Sequence, residues 1–283
     1  MGELDATSVP VTRIAPGQGG VLASLAECWC RREILYFLAW RDIKVRYKQT
    51  VLGMAWAILQ PLAMMLISTL VFNRMAGINT DIPYPVYVFA GLLPWQLFQS
   101  ALVRSSESIV ASAHLLTKVY FPRLLVPLST VVSGLVDFAV SLVILAVLMA
   151  HYGLRPGWAV LWLPVFVLLA VLSALSVGIW LSALNAKYRD FRYVVPFLAS
   201  AWMFLSPVMY PATSLLPKLP RAAQWLYNLN PMTGVLEGFR WACLGGSTAA
   251  LAVLPVSVGA LLVVFVGGLF VFRRIERDFA DLL

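Results

Sequence analysis

The sequence predicts an all-α integral membrane protein: six transmembrane helices, an N-terminal amphipathic interface helix, and re-entrant helices between spans five and six. Three observations carry that prediction. Hydrophobic residues make up 61% of the 283-residue chain and charged residues only 12%, about half the ~25% expected of a soluble domain. Six apolar runs match the roughly 20 residues that a bilayer requires. Sixteen of the 21 lysines and arginines fall in the two terminal segments and in alternate inter-span segments, the bias that keeps basic residues on the cytoplasmic face.

Residues 1–21, with Pro10, Pro16 and several glycines, read as a flexible leader. They contain no apolar stretch of the signal-peptide kind, so the first span is expected to double as the insertion signal. From residue 22 onward the chain reads as a single transmembrane domain. Residues 22–48 form the interface helix. Leu22, Leu25, Ala26 and Trp29 fall at i, i+3, i+4 and i+7, and Ile34, Phe37 and Leu38 resume the pattern after Arg31, Arg32 and Glu33. Arg41, Lys44, Arg46 and Lys48 then stand where phosphate headgroups would lie, or serve as an ordinary positive flank to the first span.

The spans fall at about 51–73, 85–103, 124–150, 158–184, 193–211 and 249–272, several interrupted by proline, as membrane helices tolerate when neighbours re-satisfy the freed carbonyls. Span three holds Asp137, whose charge costs roughly 2.5–3.5 kcal/mol at a helix centre and therefore faces protein or water, or is protonated and merely packed. Span four has Ala170, Ala174, Gly178 and Ser182 at four-residue spacing, a flat face for packing within the chain or against a second copy.

The connections are uneven in character. Residues 104–123 pair a capping serine, Ser105 or Ser106, with apolar Ile109, Val110 and Leu116, the pattern of a short amphipathic helix or of a solvated basic turn. Residues 187–193 (KYRDFRY) are short and mixed in charge. Between spans five and six, residues 211–246 are too polar to cross yet hold too many apolar groups for a free loop. They read as two short helices split at Asn230-Pro231, with Glu237 and Arg240 as a possible i, i+3 pair.

Several chemistries lack their residues. None of the five lysines follows a glycine, so there is no phosphate-cradling loop. His114 and His151 lie in segments on opposite sides and cannot share a metal, and no serine sits in a nucleophile-elbow pattern. Cys28, Cys30 and Cys243 have neither metal-ligand spacing nor nearby histidines and read as free thiols. The net charge of +8 is explained by topology and anionic lipid rather than nucleic acid.

The string RDIKVRYKQTVLGMAWAILQPL, with LLPWQLFQ at 92–99, NLNPMTGVLEGFRW at 228–241 and a charged tail, resembles the membrane subunits of type-2 ATP-binding-cassette exporters of polysaccharide (O-antigen, capsule, teichoic acid). The likeness runs in order from about residue 22 to the end. It implies an exporter of a lipid-linked polysaccharide, O-antigen first, in the bacterial inner membrane with both termini cytoplasmic. It implies two copies of the chain and a separate ATPase subunit that holds ATP and Mg, this chain having no catalytic site or cofactor. Residues 104–123 would then hold a coupling helix that docks on the ATPase, with Ser106, Glu107, His114 and Lys118 at the contact. Re-entrant helices would line the channel exit.

Sugar rings have C–H-rich faces that lie on aromatic planes. Trp202, Phe204, Tyr210, Trp225 and Tyr227 are the candidate surface, an interfacial aromatic belt being the rival account. The basic residues of the interface helix, Arg41, Lys44, Arg46 and Lys48, suit a pyrophosphate headgroup. Two other functions share parts of the pattern: a type-2 exporter of a drug or simple lipid, and a secondary transporter, which would show ion-coupling acids at the midplane where only Asp137 answers.

Overall fold

The computed structural model describes residues 21–48, 55–78, 80–119, 121–212, 220–246 and 248–276. The leader at 1–20, Ser214 and Arg277 therefore lie outside the described residues.

The interface segment forms two helices, α1 (Val21–Cys30) and α2 (Arg32–Lys48), which meet at Arg31. One side of α2 is set into the protein through Leu38 and Ala39. The other carries the exposed rings of Tyr36, Phe37 and Trp40, with Tyr36 and Trp40 stacked at 6.5 Å. Exposed aromatics beside basic residues form the kind of surface that prefers a lipid headgroup region.

Helix α3 (Ala55–Ser68) widens into a π-helical stretch, Thr69–Met75. The widening starts at Thr69, whose hydroxyl bonds back to the Met65 carbonyl at 2.7 Å. Helix α4 (Tyr84–Ala111) follows, then a single turn, α5 (Ala113–Leu116). Beyond them lie α6 (Leu125–His151), a 3-10 turn at Trp158–Trp162 leading into α7 (Leu163–Lys187), and α8 (Phe191–Leu205). The paired helices α9 (Arg221–Leu229) and α10 (Pro231–Leu244) precede the last, α11 (Leu254–Glu276).

Among the described residues, five helices are long and apolar enough to cross a membrane, and α8 is a shorter apolar helix. The expected span at 193–211 is thus cut to 15 residues. Its end has a local cause. Ser206 precedes Pro207 and adopts extended geometry (φ −107°, ψ 151°), the conformation to which a residue before proline is driven.

Helix α4 is the axis of the bundle: 72% of its apolar window is buried, against 17–33% for the other four long helices. With no hydrophobic drive between helices in lipid, close packing through small residues does the work. A Cβ on Gly178 would stand 2.7 Å from the Ser105 hydroxyl of α4, and Ala170, Ala174 and Ser182 are fully buried beside it. The small-residue face of span four therefore packs inside the chain and is not free for a second copy. Trp180 similarly lies on Gly267 and Gly268 of α11 and donates its indole N–H to the Val264 carbonyl at 2.8 Å.

Span two does not stop at 103 with a new helix capped by Ser105 or Ser106. The helix continues to Ala111. The hydroxyls of Ser106 and Ser108 bond to carbonyls one turn back, Ser106 on Val103 and Ser108 on Ser105, both at 2.7 Å, and that of Ser105 makes no hydrogen bond among the described residues, so none of them caps or breaks the helix. Asn185 at the end of α7 donates to the Ser106 carbonyl at 2.9 Å, and Arg123 before α6 donates to the Glu276 carbonyl at the end of α11. These contacts gather the basic connections at one end of the bundle. At the other, the Tyr84 hydroxyl reaches the Met209 carbonyl at 2.6 Å.

The split at Asn230-Pro231 is present as read. Asn230 caps α10, its side-chain oxygen accepting from the Met232 N–H at 3.0 Å, and Pro231 takes the first helical position, where its missing N–H costs nothing. Helix α10 is folded back into the bundle and buried along nearly its whole length.

Candidate functional site

The interface helix climbs α6 in register. Ser129 donates to the Asp42 carboxylate at 3.3 Å, and one turn further Arg46 donates to the Ser133 hydroxyl at 3.1 Å. Arg46 also forms an ion pair and hydrogen bond with Asp137, whose other carboxylate oxygen accepts from the Tyr47 hydroxyl. Of the two readings of Asp137, the structure shows the polar contact to a neighbouring helix. Burial and the bond to Asp137 hold the Tyr47 phenol above its ordinary pKa. Arg104 of α4 completes the cluster, with its terminal nitrogen 3.8 Å from the same carboxylate.

Above this cluster opens a cavity of about 530 Å³ between α3, α4 and α6. Its polar lining comes from Gln60, Gln96, Gln99, Ser100 and Ser141, with Trp56 also on its wall. Gln96, Gln99, Ser100 and Arg104 stand at i, i+3, i+4 and i+8 on α4, one helix face. A second cavity of about 400 Å³ lies towards the basic end, lined by Arg41, Asp42, Glu107, Ser112 and their neighbours. Among the described residues, Arg46 and Arg104 alone line both cavities.

Of the thirteen residues anticipated from sequence, Arg46 alone lines the larger cavity. Arg46 is thus not on the surface with the headgroup set. Arg41, Lys44 and Lys48 are exposed; Arg41 pairs with Asp42 at 2.9 Å and Lys44 lies 5.5 Å over the Trp40 ring.

The five anticipated aromatics do not form one surface. Trp202 sits edge-on to Phe98 at 5.2 Å, the Tyr210 hydroxyl is spent on the Phe204 carbonyl at 2.7 Å, and Tyr227 is only 8% exposed. Phe204 and Trp225 present open rings. Helical phase explains the scatter: residues 202 and 204 point about 200° apart on α8, as 225 and 227 do on α9.

At the basic end Glu107 pairs with Arg192 at 3.7 Å, joining the two connections that sequence had singled out separately. His114 and Lys118 are exposed beside them. Ser106 is buried against α7 and offers nothing to a partner.

One cluster was read only in part. Arg240 and Glu237 do pair, at 3.5 Å, but inside the protein rather than on a helix surface. The guanidinium donates to the carbonyls of Pro207, Val208 and Tyr87 and lies 4.0 Å over the Tyr87 ring. Gly91 makes the room, because a Cβ there would stand 2.2 Å from a terminal nitrogen of Arg240. The clamp fastens α10 to α4 and to the turn after α8. Among the described residues there is no group of His, Cys, Asp and Glu that could hold a metal ion.

Residues 33–244 match the ABC-2 type transporter model. The chain is 34% identical to the O-antigen export system permease protein RfbA of Myxococcus xanthus, over 76% of this chain and 81% of that one. Against a protein of the same name from Klebsiella pneumoniae it is 28% identical over 89% and 95%. It is also 29% identical over 84% and 91% to the polysialic acid transport protein KpsM of Escherichia coli.

Proposed function

We propose that this chain, which belongs to the ABC-2 type transporter family, is the membrane subunit of an ATP-driven exporter that moves a lipid-linked polysaccharide, of O-antigen type, across the bacterial inner membrane. The observation that carries this reading is the cavity between α3, α4 and α6: about 530 Å³ lined by three carboxamides and two serines beside the Arg46–Asp137–Arg104 cluster. Such a lining suits hydroxyl-rich sugar units, which need paired donors and acceptors when they leave water. A drug or simple-lipid exporter would be better served by an apolar wall, and the acid a secondary transporter would need is already held by Arg46 and Tyr47.

In this reading both termini and the basic end of the bundle are cytoplasmic, and two copies enclose the path. The surface around Glu107, Arg192, His114 and Lys118 docks on a separate cassette ATPase, which holds ATP and Mg. Its closure on nucleotide pushes the inner end of α4, a rigid helix that reaches the Arg240 clamp at the far end. Arg41, Lys44 and Lys48, with the exposed rings of α2, rest on lipid headgroups. Trp225 and Phe204 are the ring faces left for sugar near the exit.

The test is hydrolysis by purified protein. The chain alone hydrolyses no ATP and the chain with its cassette subunit does; robust hydrolysis by the isolated chain would end the proposal.

A further inference from the structure

Arg104 is the member of the inner cluster whose charge is answered only in part, by a 3.8 Å ion pair to a carboxylate that it shares with Arg46. Asp137 carries a single negative charge, and both of its oxygens are taken, one by Arg46 and the other by Tyr47. Arg104 stands 3.8 Å away, beyond hydrogen-bond reach. Its Nε donates to the Ser100 carbonyl of its own helix at 3.1 Å, which leaves both terminal amino groups without a hydrogen-bond partner among the described residues. They lie beside Gly134, where the missing side chain opens the approach from α6.

A half-buried guanidinium that shares its one counter-charge with a second arginine is incompletely compensated. Here it faces two cavities at once, at the place where they meet. Two arginines against one carboxylate leave a net positive charge, and a planar fork of free N–H groups matches the oxygens of a phosphate. The neighbouring carboxamides of Gln96 and Gln99 offer donors and acceptors for whatever is attached to it.

We propose that Arg104, flanked by the Arg46–Asp137 pair, is a binding site for a phosphate or diphosphate group passing between the two cavities. The site deepens the export reading and rests on it for the biological ligand, since the diphosphate of a lipid-linked glycan and the phosphate of an ordinary phospholipid share this chemistry. Asp137 has a defined part. It holds Arg46 in place and competes with the ligand for positive charge, so that removing its charge favours the anion.

Binding is measured by calorimetry on the full chain in a phosphate-free maltoside detergent, with farnesyl diphosphate, inorganic pyrophosphate, short-chain phosphatidylglycerol and glucuronate as probes. Loss of a charge-assisted contact predicts that Arg104→Gln weakens diphosphate binding by about tenfold to a hundredfold. Arg104→Lys keeps the charge but loses the fork and falls between. Arg221→Gln, an exposed charge outside both cavities, binds as the parent does. Asp137→Asn binds more tightly than the parent, and decides the matter should Arg104→Gln fail to assemble.

The probes separate the sources. Farnesyl diphosphate held tighter than phosphatidylglycerol identifies a diphosphate carrier, and equal binding identifies a general phospholipid phosphate; either supports the site. Undiminished binding by Arg104→Gln, weaker or unchanged binding by Asp137→Asn, or glucuronate held tighter than every phosphate would overturn it. Those results would leave polysaccharide export standing, since export is scored separately at the cell surface.

Discussion

Replacing Arg240 with Met keeps the length of the side chain and removes the guanidinium. In the folded protein that group sits at 5% side-chain exposure, answers three backbone carbonyls and pairs with Glu237 at 15%. Each buried acceptor left unpaired costs about 1–3 kcal/mol, and breaking a buried ion pair from one side costs about 3–5 kcal/mol. These overlap, since they count the same desolvation. A loss of about 3–5 kcal/mol follows, enough to remove a large part of a typical domain's stability.

Gly91→Ala strikes the same place from the other side. Its methyl group would stand 2.2 Å from Arg240 and 2.8 Å from the Val208 carbonyl, an overpacking worth about 1–3 kcal/mol. Because the nearer clash is with the guanidinium itself, the double variant Gly91→Ala/Arg240→Met loses less than the sum, by about 1 kcal/mol or more, as contacting residues do. Thermal unfolding in nanodiscs, followed by tryptophan fluorescence, reads all three. An Arg240→Met protein that melts with the parent, or strictly additive losses, would refute the clamp as the fastening between α10 and α4.

Thiol labelling tests the packing of the interface segment. Burial, with Glu27 and Glu276 nearby, pushes the Cys28 thiol up to about 11, and burial pushes Cys243 up to about 12. Both stay protonated at pH 7.5, and since the thiolate is the nucleophile, a maleimide modifies exposed Cys30 first; rapid loss of all three thiols would contradict this. Orientation is tested in a cysteine-free background: an impermeant reagent added to intact cells reaches Arg155→Cys and fails at Thr117→Cys, both exposed positions, and the reverse result would invert the topology.

Apolar runs and charge placement made the membrane class legible, because both are local or additive properties of the chain. The break at Asn230-Pro231 was legible for a similar reason: a cap and a proline act on their own few residues. Pairing across the bundle was not. Arg46 and Asp137 are 91 positions apart, and nothing in either segment names the other, so a basic residue beside a first span read as a surface charge. The signal for the cavity was present in Gln60, Gln96 and Gln99, uncharged polar groups in apolar helices, yet it needed the α4 face to bring them together. Ser106 misled for a physical reason: the same hydroxyl that caps a helix end also bonds one turn back inside a helix. The aromatics misled because proximity in sequence is not a shared face.

The central claim is tested most directly by deleting this chain's gene alone and measuring polysaccharide on both sides of the inner membrane. The account predicts that long-chain polysaccharide disappears from the cell surface while lipid-linked chains accumulate inside, and that the parent gene restores export but an Arg104→Gln copy restores it poorly. Normal surface polysaccharide in the deletion strain, with no accumulation within, would contradict it.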